Sequence, residues 1–297
     1  MYKRVTLLTN PDRCNLACPL CFLNQKKGPF GLGEMDFSVV EKVLRSLNSD
    51  DLREVIPSTM GEPLLYPHFK KLLGLCRELS IKVNLTTNGT FPLGGVSYWA
   101  EPLLLNCSDI KISMMGISSK VNELLMKGIN QKEYLDNIHF LLAKRKKLLD
   151  QKRAAATISL QVTVCKKNWK ELPAILEFAE SSGINRVKWN KALFLSTTGP
   201  SVLKEYQLDE EGESAKEIQE LARSLLTKAK IPMEGTLFNL SPKNSEIEDK
   251  CPFLDEIWVL PDGSFEYCPN PERRFGDLSS TAASCEGCPM KKKVNKV

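Results

Sequence analysis

Histidine is nearly absent from this chain. Among 297 residues there are two, His68 and His139, and neither lies near a cysteine group. A zinc site of mixed cysteine and histidine is thereby disfavoured, and any bound metal has to be held mostly by sulfur. Long apolar runs are missing too: none approaches the ~20 residues that a helix needs to cross a bilayer. "MYKRVTLLTN" at the amino end has no signal-peptide core, so the expected location is the cytosol, with no membrane partner. No G-x-G-x-x-G follows the first strand-like segment, which removes the main sequence reason to expect a dinucleotide fold. Repeats and low-complexity tracts are also lacking. The net charge of +5 is mild for the length, and the basic runs "KRKK" (144–147) and "KKKVNK" (291–296) read as a solvated helix face and a frayed tail. Nucleic acid is not an expected partner.

What the chain does have is cysteine, ten residues of it. In a reducing compartment that number points to metal binding or redox chemistry rather than to structural disulfides. The rest of the composition is ordinary, 42% hydrophobic and 26% charged, and suits one large α/β domain with a small appendage. Short apolar segments alternate with longer amphipathic ones. Strands are predicted at "RVTLLT" (4–9), "EVIPS" (54–58), "KVNLTT" (82–87), "DIKIS" (109–113), "TISLQVTV" (157–164) and "RVKWN" (186–190). Helices are predicted over 36–47, 68–79, 132–149 and 168–181, with a weaker one in "SYWAEPLLL" (97–105). This alternation predicts a parallel sheet of βα units, either open and doubly wound or curled into a barrel. After about residue 195 the rhythm changes to a charged helix (209–230) and a polar connector. The last fifty residues read as a small separate unit, in which "DEIWVLPDGSFEYC" is a β-hairpin turning at Pro261, Asp262 and Gly263.

Seven of the cysteines fall into two groups. Cys14, Cys18 and Cys21 are spaced C-x3-C-x2-C directly after the first strand, on the face where parallel α/β folds bind ligands. Three thiolates there suit a cubane [4Fe–4S] cluster, each sulfur on a separate iron, with the fourth iron left open for a ligand that is not protein. A structural zinc would need a fourth ligand from elsewhere. The second group is Cys251, Cys268, Cys285 and Cys288, the first two bracketing the hairpin and the last two forming "CEGC". Taken alone, this spacing also fits a zinc ribbon. Cys76 and Cys107 read as small buried hydrophobes. Cys165 shares a strand side with Gln161 and Thr163, which leaves open a place near the barrel mouth and a role as hydrogen-atom donor.

"CNLACPLC" (14–21) resembles the cluster loop of radical S-adenosylmethionine (SAM) enzymes. "STMGEPLLYP" (58–67) is similar to that superfamily's Gly-Glu-Pro segment, and "TTNG" (86–89) and "KISMMG" (111–116) stand where the family places further cofactor contacts. The resemblance implies a partial TIM barrel of six βα units over residues 1–195, a helical connector over 196–247 and an auxiliary-cluster domain over 248–297. It implies that the open iron chelates SAM. Glu62, with the backbone around Gly61, would meet the SAM ammonium, Ser113 the ribose, and Asn88 and Gln161 would add polar contacts. The family usually carries an aromatic residue just before the third cysteine, where this chain has Leu20. The second cysteine group resembles the shortened, "twitch" form of the SPASM module. Eleven residues separate Cys251 from Gly263, four more lead to Cys268, and four cysteines would hold a saturated auxiliary [4Fe–4S] cluster.

The implied reaction is reductive cleavage of SAM to a 5′-deoxyadenosyl radical, hydrogen abstraction from a substrate, and a two-electron oxidation with the auxiliary cluster as electron acceptor. A flavodoxin- or ferredoxin-type reductant is implied as partner. Strand one begins within the first few residues, leaving no room for an N-terminal leader-binding domain, so the expected substrate is a small metabolite or a peptide. Alternatives are a peptide maturase or epimerase working with a separate leader-binding partner, and a zinc-stapled binding module.

Overall fold

Each predicted strand has one side that is apolar almost without interruption, and that side is what drives it into a sheet. In the computed structural model, which describes residues 2–25, 31–47, 52–58, 60–195, 198–237 and 255–266, all six form. The chain runs β1 (Arg4–Leu7), α1 (Phe22–Gln25), α2 (Phe37–Leu47), β2 (Glu54–Pro57), α3 (Phe69–Glu78), β3 (Lys82–Thr87), α4 (Gly95–Asn106) and β4 (Cys107–Ser113). It continues with α5 (Ser119–Leu125), α6 (Gln131–Asp150), β5 (Thr157–Val164), α7 (Leu172–Ser182), β6 (Arg186–Lys191), α8 (Pro200–Tyr206), α9 (Glu213–Lys228), β7 (Met233–Glu234), β8 (Glu256–Val259) and β9 (Phe265–Glu266).

The strands hydrogen-bond in the order β7-β6-β5-β4-β3-β2-β1-β8-β9, and only the β8–β9 pair is antiparallel. From β1 to β7 each strand is laid beside its predecessor without a reversal across the sheet. A doubly wound sheet requires such a reversal. Right-handed crossovers in a single direction instead keep the helices on one face, the arrangement of a barrel wall. The helix-facing side chains Val5, Leu7, Val55, Val83, Leu85, Ile110, Ile112, Ile158, Leu160 and Val187 are fully buried in one core. Burying each is worth about 1.5–3 kcal/mol. The other face is polar, and ends at the loops that follow the strands.

The predicted hairpin forms, closed by Leu260 and Ser264 and turning through Gly263 at φ +85°. It is not a sheet of its own. Arm β8 pairs in parallel with β1, Arg4 opposite Glu256 through Leu7 opposite Val259, so the hairpin extends the barrel sheet past its first strand. A carboxylate anchors it there: Glu256 Oε1 accepts the Thr6 hydroxyl at 2.8 Å and the Trp258 indole N–H at 2.7 Å.

Candidate active site

The loop after β1 and the turn after β2 meet backbone against backbone. Asn10, buried in the loop after β1, donates its side-chain amide to the carbonyls of Glu62 at 2.8 Å and Arg13 at 3.3 Å. The Glu62 N–H donates to the Arg13 carbonyl at 2.9 Å. Gly61 sits at φ +75°, and a Cβ there would lie 2.3 Å from the Asn10 carbonyl oxygen and 2.7 Å from that of Arg13. Only glycine fits such an approach. The Gly-Glu-Pro turn is therefore clamped onto the loop that carries Cys14.

Glu62 itself is buried and joins two strand ends. Its carboxylate accepts the Leu64 N–H at 3.2 Å, the Thr87 hydroxyl at 2.8 Å and the Asn88 N–H at 2.8 Å. Burial pushes its pKa up to about 7, against the pull of those three donors. Asn88 passes the connection on. Its side-chain amide donates to Asn15 at 2.9 Å and faces Cys14 Sγ at 3.8 Å, while the Leu16 N–H reaches the same sulfur at 3.4 Å.

The three cysteines of the first group stand within electrostatic reach of one another. Burial pushes Cys18 up to about 12 and raises Cys14, and the neighbouring thiols push both further. Among the described residues no three Cys, His, Asp or Glu side chains gather as a single metal ion requires. A cubane, whose thiolates each take a different iron, sets its ligands wider apart than one ion does. Thiols whose ionisation burial opposes in the bare chain, Cys14 facing two N–H donors, suit a cationic cluster that binds them as thiolates.

The β4 loop is held by side chains that the sequence did not single out. Asn122 Oδ1 accepts the Met115 and Gly116 N–H groups at 3.0 and 3.1 Å. Glu171 accepts the Ile117 and Ser118 N–H groups at 2.7 and 3.1 Å. Asn168, fully buried, donates to the carbonyls of Met115 at 2.8 Å and Thr163 at 2.9 Å and accepts the Cys165 N–H at 2.8 Å. Lone small polar residues carry no periodic signal, so only the fold reveals them. Ser113 and Gln161 are register partners on β4 and β5, half-buried on the polar face. The structure thus brings Gly61, Glu62 and Asn88 together with Cys14, and sets Ser113 beside Gln161.

Cys165, directly after β5, is fully buried and not open to the barrel space. It is sealed in an apolar cluster with Leu20, Leu125 and Tyr206, and burial raises its pKa. Leu20, in the place of the expected aromatic residue, packs inward there. Cys76 and Cys107 are buried as expected. Cys251, Cys268, Cys285 and Cys288 lie outside the described residues.

The profile of the Radical SAM superfamily matches residues 11–179, more than half of the chain and the span of all these loops. The chain belongs to the radical SAM superfamily. Radical SAM proteins imply a [4Fe–4S] cluster and SAM, and Cys14, Cys18 and Cys21 are the donors present for the cluster. Among curated relatives, the "tungsten-containing aldehyde ferredoxin oxidoreductase cofactor-modifying protein" of Pyrococcus furiosus is 22% identical over 179 residues, 59% of this chain and 47% of the relative. The "7,8-dihydro-6-hydroxymethylpterin dimethyltransferase" of Methanocaldococcus jannaschii is 33% identical over 129 residues, 40% of this chain and 24% of the relative. This chain therefore spans less than half the length of either. Streptococcus suis SuiB bound to SAM shares the fold, with a TM-score of 0.67 at 15% identity over 98% of this chain and 72% of SuiB. No helix among the described residues is long and apolar enough to cross a membrane.

Proposed function

We propose that this radical SAM protein is an oxidoreductase that abstracts a hydrogen atom from its substrate and removes two electrons in all. The observation that carries the reading is the clamp at Gly61. It fixes a three-cysteine loop, one ligand short of a closed set, against a buried carboxylate at the carboxyl ends of a parallel sheet. When bound, the cluster and SAM supply one-electron cleavage to methionine and a 5′-deoxyadenosyl radical.

The chain's own residues do the rest. Glu62, with the backbone around Gly61, would meet the SAM ammonium, since its carboxylate accepts three donors and has room for a fourth. Ser113 would meet the ribose, with Asn88 and Gln161 beside it. The polar barrel face would hold the substrate C–H bond near the reacting carbon and keep out other hydrogen donors. The second cysteine group, Cys251, Cys268, Cys285 and Cys288, would bind an auxiliary [4Fe–4S] cluster that takes the second electron, in a twitch-type domain over 248–297. A flavodoxin- or ferredoxin-type protein would supply the first electron. The names of both curated relatives concern cofactors or a pterin, which supports a small metabolite ahead of a peptide as substrate.

Anaerobic reconstitution followed by SAM and a strong reductant tests the reading. The expected result is 5′-deoxyadenosine, lost when Cys14, Cys18 and Cys21 are replaced by alanine. Two colourless zinc ions per chain and no 5′-deoxyadenosine would show a zinc-stapled module instead.

A further inference from the structure

The polar face of the sheet carries cations that its own carboxylates do not fully answer. In β4, Ile110 and Ile112 are sealed in the core, so Asp109, Lys111 and Ser113 point to the opposite face. Ser159, Gln161 and Thr163 of β5 share that face, as do Arg186, Lys188 and Asn190 of β6. Register places Lys111 against Ser159, Ser113 against Gln161, and Gln161 against Lys188. Lys111, Ser113, Gln161, Thr163, Lys188 and Asn190 are partly accessible while the apolar residues between them are not, so this face borders solvent-filled space.

The acids nearby are committed. Asp109 takes Arg186 Nη2 at 2.6 Å and the hydroxyls of Thr157 and Ser159 at 2.7 and 2.8 Å. Glu234 takes Arg186 Nη1 at 2.9 Å. Glu54 takes the Asn84 amide at 3.1 Å, the Ser108 hydroxyl at 2.7 Å and Arg4 at 3.5 Å. Lys111 is left with the Asn84 amide oxygen and a distant share of Asp109 at 4.0 Å. Lys188 has no carboxylate within ion-pair distance among the described residues. Burial pushes the Lys111 pKa down, and Lys188 and Arg186 oppose its charge while Asp109 and Glu54 support it. Glu234 stands in register with Lys188 but pairs with Arg186, so neither ammonium has a close carboxylate of its own, a cost in free energy that an incoming anion would recover.

We infer that Lys111 and Lys188 together bind an anionic group of the substrate, a carboxylate or a phosphate, on the polar face beside Gln161, between the levels of Lys111 and Ser113. The inference rests on the proposed reading that this face holds the substrate. The two lysines stand two strands and two residues apart, about 10 Å across and about 7 Å along the sheet at the backbone, a span their side chains can close on one oxyanion. Lys188 is level with Gln161 and Ser113 in the register and Lys111 lies two residues lower, so the anion would sit between these levels, less than about 7 Å below the expected ribose contact. The part of the substrate that reacts would then lie a few bonds from its charged end.

The test uses reconstituted full-length protein with SAM bound and its lysines labelled with ¹³C at the ε carbon. Inorganic phosphate and glutarate are titrated separately, and the Lys111 and Lys188 resonances are assigned with Lys111→Met and Lys188→Met. The expected result is a saturable shift of both resonances with one of the anions, weakened at least tenfold in either variant for the lysine that remains. The tighter anion identifies the group as phosphate or carboxylate. Absence of a saturable shift with both anions, or shifts that survive unchanged in the variants, overturns the inference. Formation of 5′-deoxyadenosine is measured on the same samples. Cleavage without anion binding sinks the anion site alone, and anion binding without cleavage sinks the radical reading alone.

Discussion

At the scale of single residues, Gly61 and Glu62 do different physical work. An alanine at 61 would have to hold φ near +75° and would drive its Cβ to 2.3 Å from the Asn10 carbonyl oxygen. The left-handed conformation alone costs roughly 1–2 kcal/mol, and the clash with two main-chain carbonyls cannot be relieved by a rotamer change. Gly61→Ala should therefore part the two loops and lower the iron retained after reconstitution by at least half, with helix content by circular dichroism largely kept. Full iron incorporation in that variant would show the clamp to be dispensable. Glu62 makes a pH prediction. Its folded pKa of about 7 lies above the ordinary carboxylate range, so the unfolded chain gives up this proton first as pH rises. Stability must then fall from the ordinary carboxylate range up to about pH 7, by on the order of 3 kcal/mol for a shift of this size. In SAM-free protein, Glu62→Gln should flatten that slope in thermal unfolding scans; an unchanged slope would assign it to other groups.

At the scale of elements, what could be read in advance follows from length and period. β3 and β5 match their predicted ranges to the residue, because six and eight residues of clean apolar alternation leave little freedom. The weaker helix predicted at 97–105 extends over Gly95–Asn106 despite Pro102 inside it, with Trp99 packed edge-on against Phe69 at 5.7 Å. α1, α5 and α8 have four or seven residues, too few turns for a helical period to show, and β7 has two. The cysteine loop was legible because its spacing is itself chemistry. Its supports were not, since their partners lie far along the chain: Asn10 reaches Glu62, and Asn168 reaches Met115. Asn168, a fully buried side chain, locks the β4 loop to the end of β5 through three hydrogen bonds. Asn168→Ala leaves three backbone groups short of a partner and should cost about 3 kcal/mol. Asn168→Asp sets a carboxylate against two carbonyls and should cost more. Urea unfolding checks both, and a loss under about 0.5 kcal/mol for alanine would remove Asn168 as the lock.

At the scale of the whole molecule, the carboxyl-terminal hairpin is tied to the site by packing as well as by pairing. Trp258 of β8 forms a buried cluster with Leu8, at the start of the cysteine loop, and Met60, next to Gly61. β8 is hydrogen-bonded along β1, whose following loop carries Cys14. Residues 255–266, which lie between Cys251 and Cys268 in the sequence, are therefore built into the wall beneath the cysteine and Gly-Glu-Pro loops. This placement separates two roles for the second cysteine group. If those cysteines bind an electron-accepting cluster, Cys285→Ala with Cys288→Ala should lower iron from about eight to about four per chain. The first cluster would remain, so 5′-deoxyadenosine should still form when SAM and reductant are supplied without substrate. Product formation with the true substrate should stop, because the second electron has nowhere to go. A purely structural staple predicts another pattern: loosening β8 from β1 would disturb Trp258, Leu8 and Met60 together, and SAM cleavage would fall with thermal stability. Iron content, uncoupled 5′-deoxyadenosine and the thermal midpoint, measured on one preparation, distinguish the two, and loss of all three at once would rule out the electron-acceptor role as the reason for these cysteines.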